Sequence, residues 1–335
     1  MSALMDGESQ EALENEIADL ELQLVKARER LKAKAGASQV SGGASSQKPH
    51  HHTSPLAQTV IPDTSHHYLL LLSDSALPLG SFAFSSGLES YLAHSKTSPQ
   101  RPSFSSFLPV SLSSYASTTL PFVLAAHRDP SPGSIAALDD ALDASIICAV
   151  GRRASVAQGR ALLSIWEKSF AGSSLVSEGA REGMRPFAAL LRRVPSSSST
   201  FPATSGSAGA KSSRDKGPGG GEGEEQEEEL PPPASAHLAP LFGAIAHHLG
   251  LGAAQTAYVF MLSHVKALVS AAVRASMFGP YMAQKILAGG EMQGLIGEMV
   301  AREWETAVED AAQSVPVMDL WIGRHEVLYS RIFNS

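Results

Sequence analysis

Tyr258-Val259-Phe260-Met261-Leu262-Ser263-His264-Val265-Lys266-Ala267-Leu268-Val269-Ser270-Ala271-Ala272-Val273-Arg274 is the most apolar stretch of the chain. It lies inside a helical pattern over 252–288 that Gly279-Pro280 is expected to break. His264 and Lys266 interrupt it and Arg274 ends it, so it is too short and too charged to span a bilayer. It reads as a helix of a soluble protein. Outward from it, the spacing predicts helices over about 103–127, 134–147, 149–171, 178–192, 238–249, 291–313 and 316–333. A short apolar helix over His67–Ala76 precedes them, ended by Pro78 and Gly80. Pro109 and Pro121 are expected to kink or divide the helix that holds them. Alternating patterns rich in β-branched residues are nearly absent, and Ala, Leu, Ser, Glu and Arg dominate between the breaks. The predicted fold class is all-α: a single globular helical bundle of about eight to ten helices, with an extra helix ahead of it.

That extra helix is a heptad over residues 9–34, with Leu13, Ile17, Leu20, Leu24, Ala27 and Leu31 at alternating spacings of four and three. A parallel self-pair would set Glu16 against Glu21 of its mate, so a lone docking helix is favoured over a parallel coiled-coil dimer. Two tracts are predicted to be disordered. Residues 36–66 are rich in Ser, Gly, His and Pro; residues 195–236 run from a Ser/Thr tract through Gly-rich sequence to a Glu cluster and Pro231-Pro232-Pro233. Such segments bury too little apolar area to offset the entropy of ordering. The expected organisation is therefore 1–35 helix, 36–66 linker, and a 67–335 domain carrying an acidic insert.

Of 335 residues 43% are hydrophobic, enough for a sizeable core, and the formal net charge is −7. That balance argues against nucleic acid as the main partner, because phosphate contacts need concentrated Lys and Arg. The single cysteine, Cys148, excludes an internal disulfide and any CxxC site. It sits in the apolar run Ile146-Ile147-Cys148-Ala149-Val150, where an inert buried thiol is expected. Nothing in the first residues resembles a secretory signal, and a cytoplasmic location is expected. No phosphate loop, G-x-S-x-G elbow or H-E-x-x-H is present. His50, His51 and His52 fall in the linker, and the neighbours His247 and His248 point about 100° apart on a helix. No catalytic residue and no metal site is predicted.

Two segments stand apart. In Pro78-Leu79-Gly80-Ser81-Phe82-Ala83-Phe84-Ser85-Ser86-Gly87-Leu88-Glu89 a Pro-x-Gly turn carries two alternating aromatics, either core plugs or part of a contact surface. Ser86 and Glu89 have capping-box spacing, and Leu88, Tyr91 and Leu92 form an apolar face. The second segment is Arg324-His325-Glu326-Val327-Leu328-Tyr329-Ser330-Arg331-Ile332-Phe333-Asn334-Ser335. Val317, Leu320, Trp321, Leu328 and Ile332 trace an apolar stripe along a last helix, and Arg324 and Arg331 would lie in line about 10 Å apart on it. Arg near a helix C-terminus complements its dipole; Arg with aromatics is also the composition of interface hot spots.

Together the two segments resemble the UreF family of urease accessory proteins. Leu70 to Glu89 is similar to the family's N-terminal motif, and the closing Arg-His-Glu-x-x-Tyr-Ser-Arg-x-Phe matches its terminal motif almost letter for letter. Arg153-Ala154-Ser155-Val156-Ala157-Gln158-Gly159-Arg160 resembles a family helix, as does Pro240-Leu241-Phe242-Gly243 with Leu249-Gly250-Leu251. The resemblance implies an all-α, dimeric, non-enzymatic chaperone. It would bind a UreD/UreH-type accessory protein and the nickel-carrying GTPase UreG, so that nickel reaches apo-urease. Nickel and GTP would be handled by those partners, with no cofactor on this chain.

By motif position, Phe82 falls where the family often has Tyr, in a loop of the accessory complex. Tyr329, Arg331 and the flanking tail fall in the segment that orders against the UreD/UreH partner. Arg274 falls where many members place a Lys linked to GTPase docking. The expected partner-binding residues are Phe82, Phe84, Glu89, Arg274, Arg324, His325, Glu326, Tyr329, Ser330, Arg331 and Phe333. Around Arg274 the chain departs from the family: Met277 replaces its Pro and Pro280 its Gln. Two other readings stay open, a generic helical scaffold working through its heptad and acidic insert, and a metal-dependent hydrolase using residues such as His264, His325 and Glu326.

Overall fold

The computed structural model describes residues 63–95, 102–193 and 234–334. The predicted heptad helix and most of both low-complexity tracts lie outside the described residues. Within them the chain forms eleven α-helices and no strand: α1 (Thr64–Ser73), α2 (Leu88–His94), α3 (Phe104–Arg128), α4 (Pro132–Ser145), α5 (Ala149–Ile165), α6 (Glu178–Arg193), α7 (Leu238–His248), α8 (Ala253–Arg274), α9 (Pro280–Ala288), α10 (Gly290–Glu303) and α11 (Val317–Arg324). The all-α expectation holds, with one helix more than the predicted upper count. Residues 64–66, assigned by sequence to the linker, belong to α1, which Asp63 caps by accepting the His66 N–H at 2.8 Å.

Local chemistry sets most ends. Ser103 and Ser131 accept the N–H groups of Ser106 and Ser134 to open α3 and α4. Pro132 and Pro280 stand in the first turn of α4 and α9, where a missing N–H costs nothing. The predicted 252–288 run is broken, but ahead of Gly279-Pro280: α8 ends at Arg274, where left-handed Ser276 and the Met277 N–H to Ala272 carbonyl bond close it, and Pro280 opens α9. Pro109 and Pro121 do not divide α3, which runs unbroken for 25 residues. Each removes one intrahelical hydrogen bond, but α3 is the central element and its packing outweighs that loss. It lies against α7, α8 and α10, and Leu112, Ala116, Leu120 and Val123 are fully buried.

The approach of α7 to α3 is set by Gly243. A Cβ there would meet the Val123 carbonyl oxygen at 2.1 Å, so only glycine lets the two backbones come this close. α8, the stretch that opened the sequence reading, crosses α1, α3, α7 and α10. Its 22 residues and those of α3 are long and apolar enough to cross a membrane, yet more than half of each apolar window is buried inside the protein. Packing, rather than the short length expected from sequence, places α8 in the core.

Residues 235 and 236, assigned by sequence to the acidic insert, are tied to the domain, and Ala236 is fully buried. Asp139 on α4 is buried, and its carboxylate accepts the N–H groups of Ser235 (2.6 Å), Ala236 (3.0 Å) and His237 (2.6 Å). His237 is sealed between Ser155 (3.0 Å) and Asp143 (2.9 Å). Burial raises the Asp143 carboxyl, but the His237 hydrogen bond and the Arg152 charge outweigh it and hold it below the usual carboxylate range.

Candidate functional site

The two segments singled out by sequence meet. After Gly80, in the left-handed region at φ 73°, Ser81–Ala83 make one 3-10 turn that lies against α8. The predicted capping box at Ser86 does not form. Gly87, not Ser86, precedes α2, and both are left-handed, at φ 86° and 48°. Ser85, one residue earlier than predicted, instead offers its hydroxyl to the Glu89 N–H at 3.4 Å. Gly87 is also pressed against α11, with Ile322 and Trp321 atoms 3.2 Å from where a Cβ would stand. Trp321 in turn packs edge-on against Tyr91, centroids 4.9 Å apart.

Released from capping, Glu89 reaches the tail. Its Oε2 accepts from His325 Nε2–H at 2.8 Å and from the Phe333 N–H at 3.2 Å; its Oε1 accepts the Ile332 N–H at 2.7 Å. Asn334 N–H donates to the Ala83 carbonyl at 2.8 Å. His325 is completely buried, and its Nδ1 has no partner. Since a carboxylate only accepts, the Nε2 atom that meets Glu89 carries a proton.

The last helix is therefore shorter than predicted. α11 stops at Arg324, His325–Val327 make one 3-10 turn, and the chain runs on without regular structure. Arg324 and Arg331 do not lie along one helix. The tail folds back because Glu89 supplies acceptors for its N–H groups, a contact that no local pattern announces.

Arg274, at the end of α8, closes the arrangement. Its guanidinium donates to the Phe82 carbonyl and sits 4.4 Å from the centre of the Phe333 ring. A cation over an aromatic face contributes about 0.5–2 kcal/mol depending on exposure. Burial lowers the Arg274 guanidinium from its ordinary value, but arginine stays charged in any case. Phe333 is buried beneath it at 5% exposure.

The eleven expected residues thus divide. Glu89, His325, Phe333 and Arg274 bind the segments to each other, and Phe84 lines a partly open cavity. Glu326 pairs with Arg153 on α5. Phe82 (65%) and Tyr329 (107%) are solvent-exposed, as are Arg324, Ser330 and Arg331. Val327 and Ile332, which sequence reading did not single out as contact residues, are exposed with them. The face pairs aromatic and aliphatic groups with two arginines on a backbone fixed from beneath.

The hydrolase residues do not converge. His264 stacks on Tyr115 at 3.9 Å between centroids, His325 binds Glu89 and Glu326 binds Arg153. Among the described residues no three His, Cys, Asp or Glu side chains are grouped to share a metal ion. Cys148 also differs from expectation: it is half-buried in the connection ahead of α5, not inside a helix.

The UreF family model matches residues 100–290. A fission yeast (Schizosaccharomyces pombe) protein described as an uncharacterized urease accessory protein UreF-like is 34% identical over 81% of this chain and 98% of its own length. Urease accessory protein F of rice (Oryza sativa subsp. indica) is 28% identical over 78% of this chain and 82% of its own. Urease accessory protein 6 of Cryptococcus neoformans is 26% identical over 80% and 96%.

Proposed function

The chain belongs to the UreF family of urease accessory proteins, and from that premise we propose that it is a urease-maturation chaperone acting in the cytoplasm. It binds a UreD/UreH-type accessory protein through the Phe82–Tyr329–Arg331 face. It recruits and regulates a UreG-type GTPase, and the assembly delivers nickel to apo-urease. The chain acts as a homodimer, catalyses no reaction, and leaves nickel and GTP to its partners.

One observation carries the partner reading. The chain uses Glu89, His325, Phe333 and Arg274 to fix the tail from below, while Tyr329, Ile332, Val327 and Phe82 remain in water. A tail packed only for its own sake would bury those apolar groups, since each buried side chain of this size contributes about 1.5–3 kcal/mol. Arg324 and Arg331 are exposed beside them, so the fitting partner surface is apolar with acidic groups. Tyr281 and Met282, exposed at the start of α9 just beyond Arg274, offer apolar surface near the segment assigned to the GTPase. Regulation works through unequal affinity for the GTPase's nucleotide states, because a binder blind to those states shifts nothing.

The test mixes the full chain with a UreD-type partner and a UreG-type GTPase, in GDP and in GTP-analogue forms, on size exclusion. Co-elution that differs between nucleotide states is expected. Three separate peaks in both states would overturn the proposal.

A further inference from the structure

Between α3, α5, α8 and α11 lies a partly open cavity of about 360 Å3, a size within the range of small-molecule sites. Phe84, Phe242, Phe260, Met318 and Ile322 give it apolar walls. Most hydroxyls along it are already engaged: Thr118 donates to the Ser114 carbonyl, Ser263 to the Val259 carbonyl and Ser81 to Gln158. One aromatic set is different. Tyr115 stacks on Phe260 at 5.1 Å and on His264 at 3.9 Å, within 14° and 6° of parallel. His264 Nε2 is 3.1 Å from Ser111 Oγ.

That leaves the Tyr115 hydroxyl and His264 Nδ1 without a hydrogen-bond partner among the described residues. Neither is a sealed orphan. Both residues are half-buried and line the void. Burial pushes the Tyr115 hydroxyl up and His264 down to about 3; both stay neutral at pH 7, and both shifts record a place that penalises charge. Among the described residues Asp319 is the one carboxylate on the wall, with no Lys or Arg beside it, and it accepts from Gln313 Nε2 at 3.2 Å.

We propose that this cavity binds an uncharged, flat, largely apolar small molecule whose hydrogen-bond acceptor takes the Tyr115 hydroxyl. An anion would meet the Asp319 carboxylate and no cation. A cation would give up its hydration beside His264, whose own charged form burial already disfavours. The site is independent of the partner-binding face: it needs neither accessory protein nor GTPase to fill.

The neutral naphthalene ketone dye Prodan serves as the probe, titrated into the full chain and followed by its emission. Saturable one-to-one binding with blue-shifted emission is expected. Tyr115→Phe, which removes only the hydroxyl, should weaken it about fivefold, the loss of one ordinary hydrogen bond. Ala267→Leu, which fills the void from α8, should weaken it at least tenfold while melting no lower than wild type. Two probes of comparable size, one anionic (anilinonaphthalene sulfonate) and one a quaternary ammonium, should bind at least tenfold more weakly than Prodan. Absent Prodan binding, equal binding to Ala267→Leu, unchanged affinity in Tyr115→Phe, or tighter binding of either charged dye would each overturn the proposal.

Discussion

Glu89 and His325 stand 236 residues apart in sequence and 2.8 Å apart in space. The same carboxylate takes the Ile332 and Phe333 N–H groups, so one side chain at the start of α2 fixes both ends of the tail's final turn. Glu89→Gln keeps the shape but offers one oxygen for three donors, and turns an amide N–H towards another N–H. A loss of about 1.5–3 kcal/mol is expected, the range for hydrogen bonds to a charged group. Hydrogen exchange at Ile332 and Phe333 should quicken by one to two orders of magnitude, with far-ultraviolet circular dichroism unchanged. Unaltered exchange at those amides would remove Glu89 from the role given to it.

Arg274 tests the same clasp from the other side. Arg274→Ala deletes both the donor to the Phe82 carbonyl and the cation over Phe333. Arg274→Lys keeps a cation but not the planar fork. Carboxypeptidase release of the last residues should rank alanine fastest, lysine intermediate and wild type slowest, with alanine costing about 1–2 kcal/mol. Lysine indistinguishable from alanine would mean that charge over the ring contributes nothing.

Asp139 carries a comparable load inside the domain. Asp139→Ala strands three N–H groups of 235–237 in a buried place, and a loss of about 3–5 kcal/mol is expected. For a domain of this size that lowers the melting temperature by roughly 6–20 °C. Asp139→Asn, able to accept at one oxygen, should fall between. A calorimetric scan of the three proteins reads the order directly.

Acid should destabilise the fold through its buried histidines. Burial holds His264 down to about 3, and lowers His127 and His248 in the same direction. An unfolded histidine protonates near 6.5, so between pH 6.5 and 3 the unfolded state holds more protons. Stability contributed by neutral His264 is then complete above pH 6.5 and declines as pH falls, by about 1.4 kcal/mol per unit. Between pH 7 and 5 this group alone accounts for about 2 kcal/mol in urea denaturation. His264→Gln should flatten the dependence by that amount; a slope identical to wild type would show that His264 is protonated in the fold.

Helices with local causes were legible. Apolar periodicity marked α8, Pro280 marked the start of α9, and Leu88 turned inward as the spacing required. Failures cluster where distant groups decide. The stripe from Val317 to Ile332 reads as one helix, yet Glu89 draws the backbone after Arg324 into another path. Ser86 and Glu89 have capping-box spacing, but two left-handed residues redirect the turn. Pro109 and Pro121 read as breakers and are overruled by the packing of α3. Composition likewise marked the tail as unusual without dividing it into anchors and exposed groups. That division depends on which side chains meet α2 and α8, a fact of three dimensions.

Tyr329 and Arg331 separate partner recognition from folding. Both are exposed and make no hydrogen bond or ion pair among the described residues, so replacing both with alanine should change stability by less than about 0.5 kcal/mol. Aromatic and arginine anchors at the centre of an interface each cost about 2 kcal/mol or more when truncated. The double variant should therefore weaken binding of a UreD/UreH-type partner at least a hundredfold, read by calorimetry, while its melting curve overlays wild type. Truncation after Leu328 should also end binding but lower the melting temperature, because it removes Phe333 from beneath Arg274. A double variant that binds as wild type would show the tail to be scaffold alone, with recognition lying elsewhere on the molecule.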